Sequence, residues 1–332
     1  MSRLSVVVPV YKVDEKLFRG LVDSLIAQKT ALFDLEIILV DDGCPENSSL
    51  FDEYAKVLED GLVMKVLHRE NGGPGAARNT GLTAVTGDYL AFADADDRVL
   101  PGIYEKAVSI LDDEKSTDCV VCSFVSVTSR GPVTHIVTEG VAGGGRGLSQ
   151  IRLPASKVFQ IICGDNFRCG GGYLWTKIFR VDSLRANNSG RLPLFDEELF
   201  AYEDKLWCLR ALTGLAGVRL LPDTGYAYKN DAPSISNGEQ AESRRRLNVY
   251  LAFDRMEELA AEHGKNAVLA LRVHDFKIVF TDLLKLRKGS DPQVKAAAQE
   301  RMKRLVSVLS PSDFKRARDR AAYRYMKLKY GR

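Results

Sequence analysis

The chain has 332 residues, 45% hydrophobic and 27% charged. These ordinary globular proportions exclude a disordered, collagen-like or disulfide-scaffold protein and suit about two domains. The longest apolar runs fall well short of the ~20 residues that cross a bilayer, and residues 1–4 lead into a strand pattern without a secretory leader; both predict a cytoplasmic protein whose six scattered cysteines stay reduced. The net charge of +3 hides an asymmetry: residues 240–332 carry 22 Lys and Arg against 11 Asp and Glu, which leaves 25 against 33 before them. An acidic body, able to hold carboxylate clusters, thus carries a basic tail suited to anionic partners.

Residues 4–10 form a continuous apolar run of strand length. Leu17, Leu21, Leu25 and Ile26 then recur at helical spacing. A buried strand follows over 35–40, a helix marked by Phe51, Tyr54, Ala55 and Leu58, a strand over 63–67, a helix over 76–85, a strand over 89–92, a helix over 103–111 and a strand over 119–127. Repeated strand–helix–strand units with fully apolar strands predict an α/β fold, a Rossmann-like, mostly parallel sheet with helices on both faces. Glycine triplets at 143–145 and 170–172 punctuate a mixed segment that ends near Asn237; within it, residues 195–212 read as helical. From 239 onward the pattern is helical, broken at Gly289–Pro292 and Ser310-Pro311 into three stretches, so the chain divides into an α/β domain over 1–238 and a helical basic region over 239–332.

Polar clusters sit where strands end, the place where open α/β sheets bind ligands. Asp94-Ala95-Asp96-Asp97 puts three carboxylates in four residues. They repel one another unless a hard cation such as Mg²⁺ or Mn²⁺ compensates; the alternative is a polar turn with Asp97 as a helix cap. Asp41-Asp42-Gly43 either accepts from a base or ribose or makes a tight turn. The segment from Asn71 through Gly72, Gly73, Gly75 and Arg78 to Asn79 is a glycine-rich loop opening a helix, where backbone N–H groups suit phosphate and Arg78 could clamp a diphosphate. It lacks a G-x-G-x-x-G pattern and follows the third strand, which argues against nicotinamide binding. One of Glu203 and Asp204 could act as a general base, or both could be solvated helix carboxylates. Trp175 with Lys177, and Tyr226 and Tyr228 with Lys229, could stack on a base or sugar and meet phosphate, or serve the core and surface. Cys119 and Cys122 read as core, and the four histidines have no zinc-ligand spacing.

In this order the segments resemble a family 2 glycosyltransferase of the GT-A fold. Val6-Val7-Val8-Pro9-Val10-Tyr11 resembles the family's opening strand, with Lys12 where Asn is usual, and Asp41-Asp42-Gly43 its V-D-D-G-S strand end, with Cys44 for Ser. The stretch from Asn71 to Gly81 resembles N-x-G-x-x-x-A-R-N-x-G, Phe92 to Asp97 resembles F-L-D-S-D-D, Trp175-Thr176-Lys177 resembles W-N-K, and Tyr202-Glu203-Asp204 the later acid motif. Tyr228-Lys229 with Ser234-Ile235-Ser236 resembles the Y-x-Y-R…S-I-S loop, Lys replacing Arg. The resemblance covers about residues 3–238 and excludes the tail.

It implies an inverting, metal-dependent transfer of a sugar from a nucleotide-diphosphate donor, a UDP-sugar, to a hydroxyl of a glycan or lipid-linked polymer in bacterial surface-polysaccharide or teichoic-type synthesis. Asp41 would accept from the base, with Pro9, Tyr11, Asp42, Asn71, Arg78, Asp94, Ala95 and Lys229 at the donor. Asp94 and Asp96 would hold Mn²⁺ or Mg²⁺, Asp204 would be the base with Glu203 in reserve, and Tyr173 and Trp175 would meet the acceptor. The rival readings are a sugar-nucleotide pyrophosphorylase and a non-catalytic sugar-nucleotide binding module.

In the tail, residues 301–332 carry 11 basic and two acidic residues, and Phe314, Ala317, Ala321, Tyr325 and Leu328 keep helical spacing. This stripe either packs on the preceding helices, pairs with a second copy as a homodimer, or lies on an anionic membrane surface at the inner face of the plasma membrane. Nucleic acid is not expected.

Overall fold

The computed structural model describes residues 1–45, 48–55, 58–129, 131–137, 149–151, 155–162, 171–229, 239–286 and 291–331. The first glycine triplet, Gly170, the Ser234–Ser236 loop and the Gly289-Ser290 break lie outside them. In chain order the elements are β1 (Ser2–Val10), α1 (Glu15–Ile26), β2 (Phe33–Asp41), α2 (Ser48–Tyr54), β3 (Leu58–Glu59), β4 (Leu62–His68), α3 (Pro74–Thr83), β5 (Tyr89–Phe92), β6 (Arg98–Val99), α4 (Ile103–Asp113) and β7 (Cys119–Thr128). There follow β8 (Gly131–His135), β9 (Ser149–Ile151), α5 (Ala155–Ile162), β10 (Lys177–Arg180), α6 (Val181–Ala186), α7 (Glu203–Thr213), β11 (Val218–Lys229), α8 (Glu239–Glu262), α9 (Lys265–Lys285), α10 (Pro292–Val308) and α11 (Ala317–Tyr330).

The strands make one sheet in the order β3-β4-β2-β1-β5-β10-β7-β11-β6, with β8 on β7 and β9 on β11. The long ladders β4–β2–β1–β5 and β7–β11 are parallel, as the repeated strand–helix units require. β10 enters antiparallel between β5 and β7. Alternate residues of the apolar strands face opposite cores. Val7, Ile38 and Val40 pack with α3 and α7, whereas Val6, Val8, Ile37 and Leu39 pack with α1 and α4. Both faces are covered, so the strands carry no polar alternation.

Three elements differ from the sequence reading. Residues 195–202 are loop, and α7 begins only at Glu203, because Tyr202 adopts a left-handed φ of 68° that no helix interior tolerates. Leu58 belongs to β3, since α2 ends at Tyr54. Among the described residues the tail holds four α-helices rather than three, because Gly264 at φ 91° parts α8 from α9. The tail stripe is also displaced. α11 buries Tyr323 and Met326 against Phe276, Met302 and Phe314, while Ala317, Ala321, Tyr325 and Leu328 face outward, Leu328 being 79% exposed. Of the expected stripe, only Phe314 is buried.

α8 and the first half of α9 are continuous with the α/β core. Val249, Ala252, Phe253, Met256, Ala260, Ala267 and Leu271 share a cluster with Phe92, Phe179 and Trp207.

Candidate active site

The carboxyl ends of β1, β2, β4 and β5 form one edge. At β2, the Asp42 N–H donates to Val10 O at 2.9 Å and ties the two strand ends together. The buried Asp42 carboxylate gathers Arg69 Nη1, Asn71 Nδ2 and the backbone N–H groups of Gly72 and Gly73, the last at 2.8 Å. The amides entering α3, expected to meet phosphate, are therefore turned on the protein's own anion, and Asp42 and Asn71 brace the glycine-rich loop. A Cβ on Gly43, whose φ is 75°, would stand 2.8 Å from Asn71 N, so this approach needs glycine.

Asp41 accepts from Cys44 N at 2.8 Å and from His68 Nδ1 at 2.9 Å. Burial alone would raise its pKa, but donation from Cys44 and His68 outweighs this and holds the carboxyl below its ordinary range. The half-exposed ring of His68 was not singled out in the sequence; its place at the last residue of β4 is the only signal that could have found it. Pro9 pairs with Val40, and Tyr11 follows β1, with the Lys12 ammonium 5.1 Å from its ring centre.

Beyond β5, Asp94 and Asp96 reach the same edge. Burial and the Asp94 charge raise the pKa of Asp96, and the same two causes raise that of Asp97. The Lys229 N–H donates to Asp97 Oδ1 at 2.8 Å, and the Lys229 charge favours ionised Asp96. Ala95 is buried between them. Arg78 is arranged differently from a diphosphate clamp: only 7% of its side chain is exposed, with Nη1 2.8 Å from Glu203 Oε1 and Nη2 3.0 Å from Asp94 Oδ1. It joins the two acid motifs, 109 residues apart in sequence, through one guanidinium.

α7 presents Glu203 and Asp204 in its first turn. Glu203 is committed to Arg78. Asp204 Oδ1 accepts only the N–H of Lys205 among the described hydrogen bonds, and burial and the Glu203 charge push its pKa far above the ordinary carboxylate range, against the opposing pull of Arg78. Beside these acids stands an aromatic stack. The Trp175 ring lies 4.7 Å from Tyr173, 4.5 Å from Tyr226 and 5.5 Å from Tyr228, all within 19° of parallel. The Tyr226 hydroxyl accepts the Asp94 N–H at 2.9 Å. Burial and the charges of Asp97, Asp94, Asp96 and Asp204 raise the Tyr228 pKa, as expected of a phenol facing both acid clusters. Lys177, expected to meet phosphate, is fully buried and donates to Gly171 O, Tyr173 O and Thr176 Oγ1, fixing the loop under the stack.

Among the described residues no three His, Cys, Asp or Glu side chains gather tightly enough to hold a metal by themselves. Asp94 and Asp96 offer a pair of hard oxygen donors, a set that suits a divalent ion completing its shell with diphosphate and water.

A parallel-dominated sheet with paired acid motifs at its carboxyl edge places the chain among the open α/β folds that bind ligands at the ends of their strands. The glycosyl transferase family 2 profile matches residues 5–169. Glycosyltransferase GlyG of Streptococcus pneumoniae is 35% identical over 290 residues, 86% of this chain and 88% of GlyG. The chain belongs to the family 2 glycosyltransferases. The poly(ribitol-phosphate) beta-N-acetylglucosaminyltransferase TarS of Staphylococcus aureus is 27% identical over 69% of this chain, which spans 35% of TarS; several curated relatives are likewise covered over less than two thirds of their length. The crystal structure of TarS 1–349 with UDP-GlcNAc superimposes with a TM-score of 0.62 at 19% identity, covering 99% of this chain and 91% of that one. The mannosyltransferase PcManGT from Pyrobaculum calidifontis, solved with GDP-Man and Mn²⁺, gives 0.53 at 16% identity, covering 99% and 87%. Both show the GT-A fold. No helix among the described residues is long and apolar enough to cross a membrane.

Proposed function

We propose that this protein is an inverting, metal-assisted hexosyltransferase that moves a sugar from a UDP-sugar to a hydroxyl of a glycan or lipid-linked polymer, in bacterial cell-surface polysaccharide or teichoic-type synthesis. The observation that carries the reading is the junction at Arg78, which sets Asp94 of the D-x-D pair and Glu203-Asp204 of the later acid motif on one site beside the aromatic stack. UDP-GlcNAc in the TarS structure supports a UDP-sugar donor, and the carboxylate pair supports Mn²⁺ or Mg²⁺.

In this reading Asp41 accepts from the base, near Pro9 and Tyr11. Asp94 and Asp96 would hold the cation, whose charge offsets the diphosphate and eases its departure. Lys229 adds a positive charge beside Asp96. Tyr173 and Trp175 offer a face for the acceptor sugar. Asp204, half-buried and in no ion pair among the described residues, takes the proton from the attacking hydroxyl, because its raised proton affinity matches that task near neutral pH. Attack opposite the leaving UDP inverts the anomeric centre. Glu203, tied to Arg78, orients the motif.

The outward face of α11 supports contact with an anionic leaflet. Ala317, Ala321, Tyr325 and Leu328 form an apolar strip flanked by Arg318, Arg320, Arg324, Lys327 and Lys329, and each basic residue near such a surface is worth ~1 kcal/mol. Anionic liposomes should float the wild type and not Leu328→Glu; a dimer-to-monomer shift of the variant without flotation of either would favour the homodimer.

The test of function is release of UDP from UDP-GlcNAc and other UDP-sugars with Mn²⁺, with product configuration read by NMR. Pyrophosphate-dependent formation of UTP and a sugar 1-phosphate from the UDP-sugar would instead support a pyrophosphorylase, and binding without turnover a non-catalytic module.

A further inference from the structure

The loop of residues 195–202 delivers Glu203 and Asp204, and two asparagines hold it. At its start, Asn79 of α3 accepts the Phe195 N–H at 2.8 Å and donates to Phe195 O and Glu197 Oε1. Phe195 stacks on the buried Trp207 at 5.3 Å and 10°. A Cβ on Gly75 would stand 3.2 Å from Asp196 O, so the loop lies directly on the glycine-rich segment. Asn79 belongs to the motif already recognised in the sequence.

The second asparagine does not. Asn248 lies on α8, outside the matched family profile, and is 7% exposed. Its Oδ1 accepts the N–H groups of both Phe200 and Ala201 at 2.9 Å, and its Nδ2 donates to Glu198 O at 2.8 Å. One side chain thus satisfies three backbone groups in the four residues 198–201. The next residue is Tyr202, in its left-handed conformation, with its ring 6.0 Å from Phe253 of α8 and under the Lys205 ammonium at 3.8 Å. A strained backbone persists where its surroundings over-determine it, and here α8 supplies much of that constraint one residue before the acid motif. Arg255 of α8 also pairs with Glu198 and Asp196 at the exposed rim.

We propose that Asn248 is a positioning residue for transfer: through its three hydrogen bonds the first tail helix clamps the 198–201 loop and fixes where α7 starts, and so where Asp204 stands relative to the acceptor hydroxyl. The helical tail is then part of the catalytic apparatus. This rests on the reading of Asp204 as the base. A misplacement of about 1 Å at a reacting group costs on the order of 10²-fold, which sets the expected size of the effect.

The test compares wild type, Asn248→Ala, Asn248→Asp and, as a control, the exposed Arg245→Ala. UDP titrated calorimetrically with Mn²⁺ counts the folded donor sites; UDP release from UDP-GlcNAc or whichever UDP-sugar the wild type uses gives kcat per site; amide hydrogen exchange reports Phe200 and Ala201. Asn248→Ala should keep UDP affinity and stoichiometry, lose protection at those two amides, and lower kcat per site by ~10- to 10²-fold. Asn248→Asp, which keeps both acceptor bonds and loses the donor, should recover part of the rate. Arg245→Ala should match wild type. Unchanged kcat per site in Asn248→Ala overturns the inference while the function stands, as does a fall explained by fewer UDP sites. A wild type that releases no UDP from any UDP-sugar refutes the function itself and this inference with it.

Discussion

Replacing Arg78 by Met removes the cation between the two acid motifs while keeping most of its volume. The Arg78–Glu203 pair is about nine-tenths buried on both sides, whereas the Asp94 side chain is 34% exposed and its share is screened. Breaking a buried pair by deleting one partner costs ~3–5 kcal/mol, most of it from the stranded Glu203. At ~2 °C per kcal/mol for a chain of this size, the melting temperature should fall by roughly 6–10 °C at pH 7.5. The sign of the pH dependence follows from proton linkage. Asp204 already binds its proton more tightly in the folded state than an unfolded Asp with a pKa of ~3.9, so ionising it costs stability as pH rises through that interval. Arg78 opposes this, and its loss moves Asp204 further up. The stability deficit of Arg78→Met should therefore shrink on acidification from pH 7.5 to 5. The acid limb of the turnover profile should move to higher pH, because the base must be ionised to work. Arg78→Lys keeps the charge but reaches only one carboxylate well and should fall between. Fluorescence-monitored unfolding at both pH values, with a pH–rate profile of UDP release, decides the matter. An unchanged melting temperature together with an unmoved acid limb would refute the bridge.

The remaining predictions follow from the same geometry. Asp204→Asn should lower kcat by ~10² or more with donor affinity retained, read by UDP release beside calorimetric UDP binding, whereas Glu203→Gln should mainly lower the melting temperature; the reverse pattern would transfer the role of base to Glu203. Asp96→Ala should abolish Mn²⁺-dependent UDP binding and turnover, and near wild-type turnover with Mn²⁺ would disprove the cation site. Asp42→Ala strands two backbone N–H groups and the Arg69 guanidinium, while Asn71 keeps its bond to the backbone oxygen of residue 42, and should cost ~3 kcal/mol or more in urea unfolding, with Asp42→Asn recovering part; a change in donor affinity alone would make Asp42 a ligand contact after all.

Much of the fold was legible in the residues. Apolar runs such as 35–40 alternate with helical spacings because strands buried on both faces must be apolar throughout, and carboxylates at the ends of such runs mark the ligand edge of the sheet whatever the loops do. Asp94 and Asp96 follow from that rule, whereas Asp204, in the first turn of a helix, was singled out only by the resemblance to the family's later acid motif.

What a side chain does at that edge was decided by tertiary structure. Whether Arg78 faces a ligand or two carboxylates depends on where α7 lands, 125 residues further on. Asp42 and Asp41 are adjacent and alike in sequence, yet a strand end points them apart, one into the amides of Gly72 and Gly73 and the other to His68. The α11 stripe has helical spacing on more than one face, and only the position of Phe276 and Met302 selects Tyr323 and Met326 for burial. Asn248 carries no local signal, because its three partners are backbone groups about fifty residues away in sequence, and backbone groups look the same in every sequence. Periodicity and strand ends are short-range properties written in composition; the partner of a polar group is set by chain packing, which no local pattern encodes.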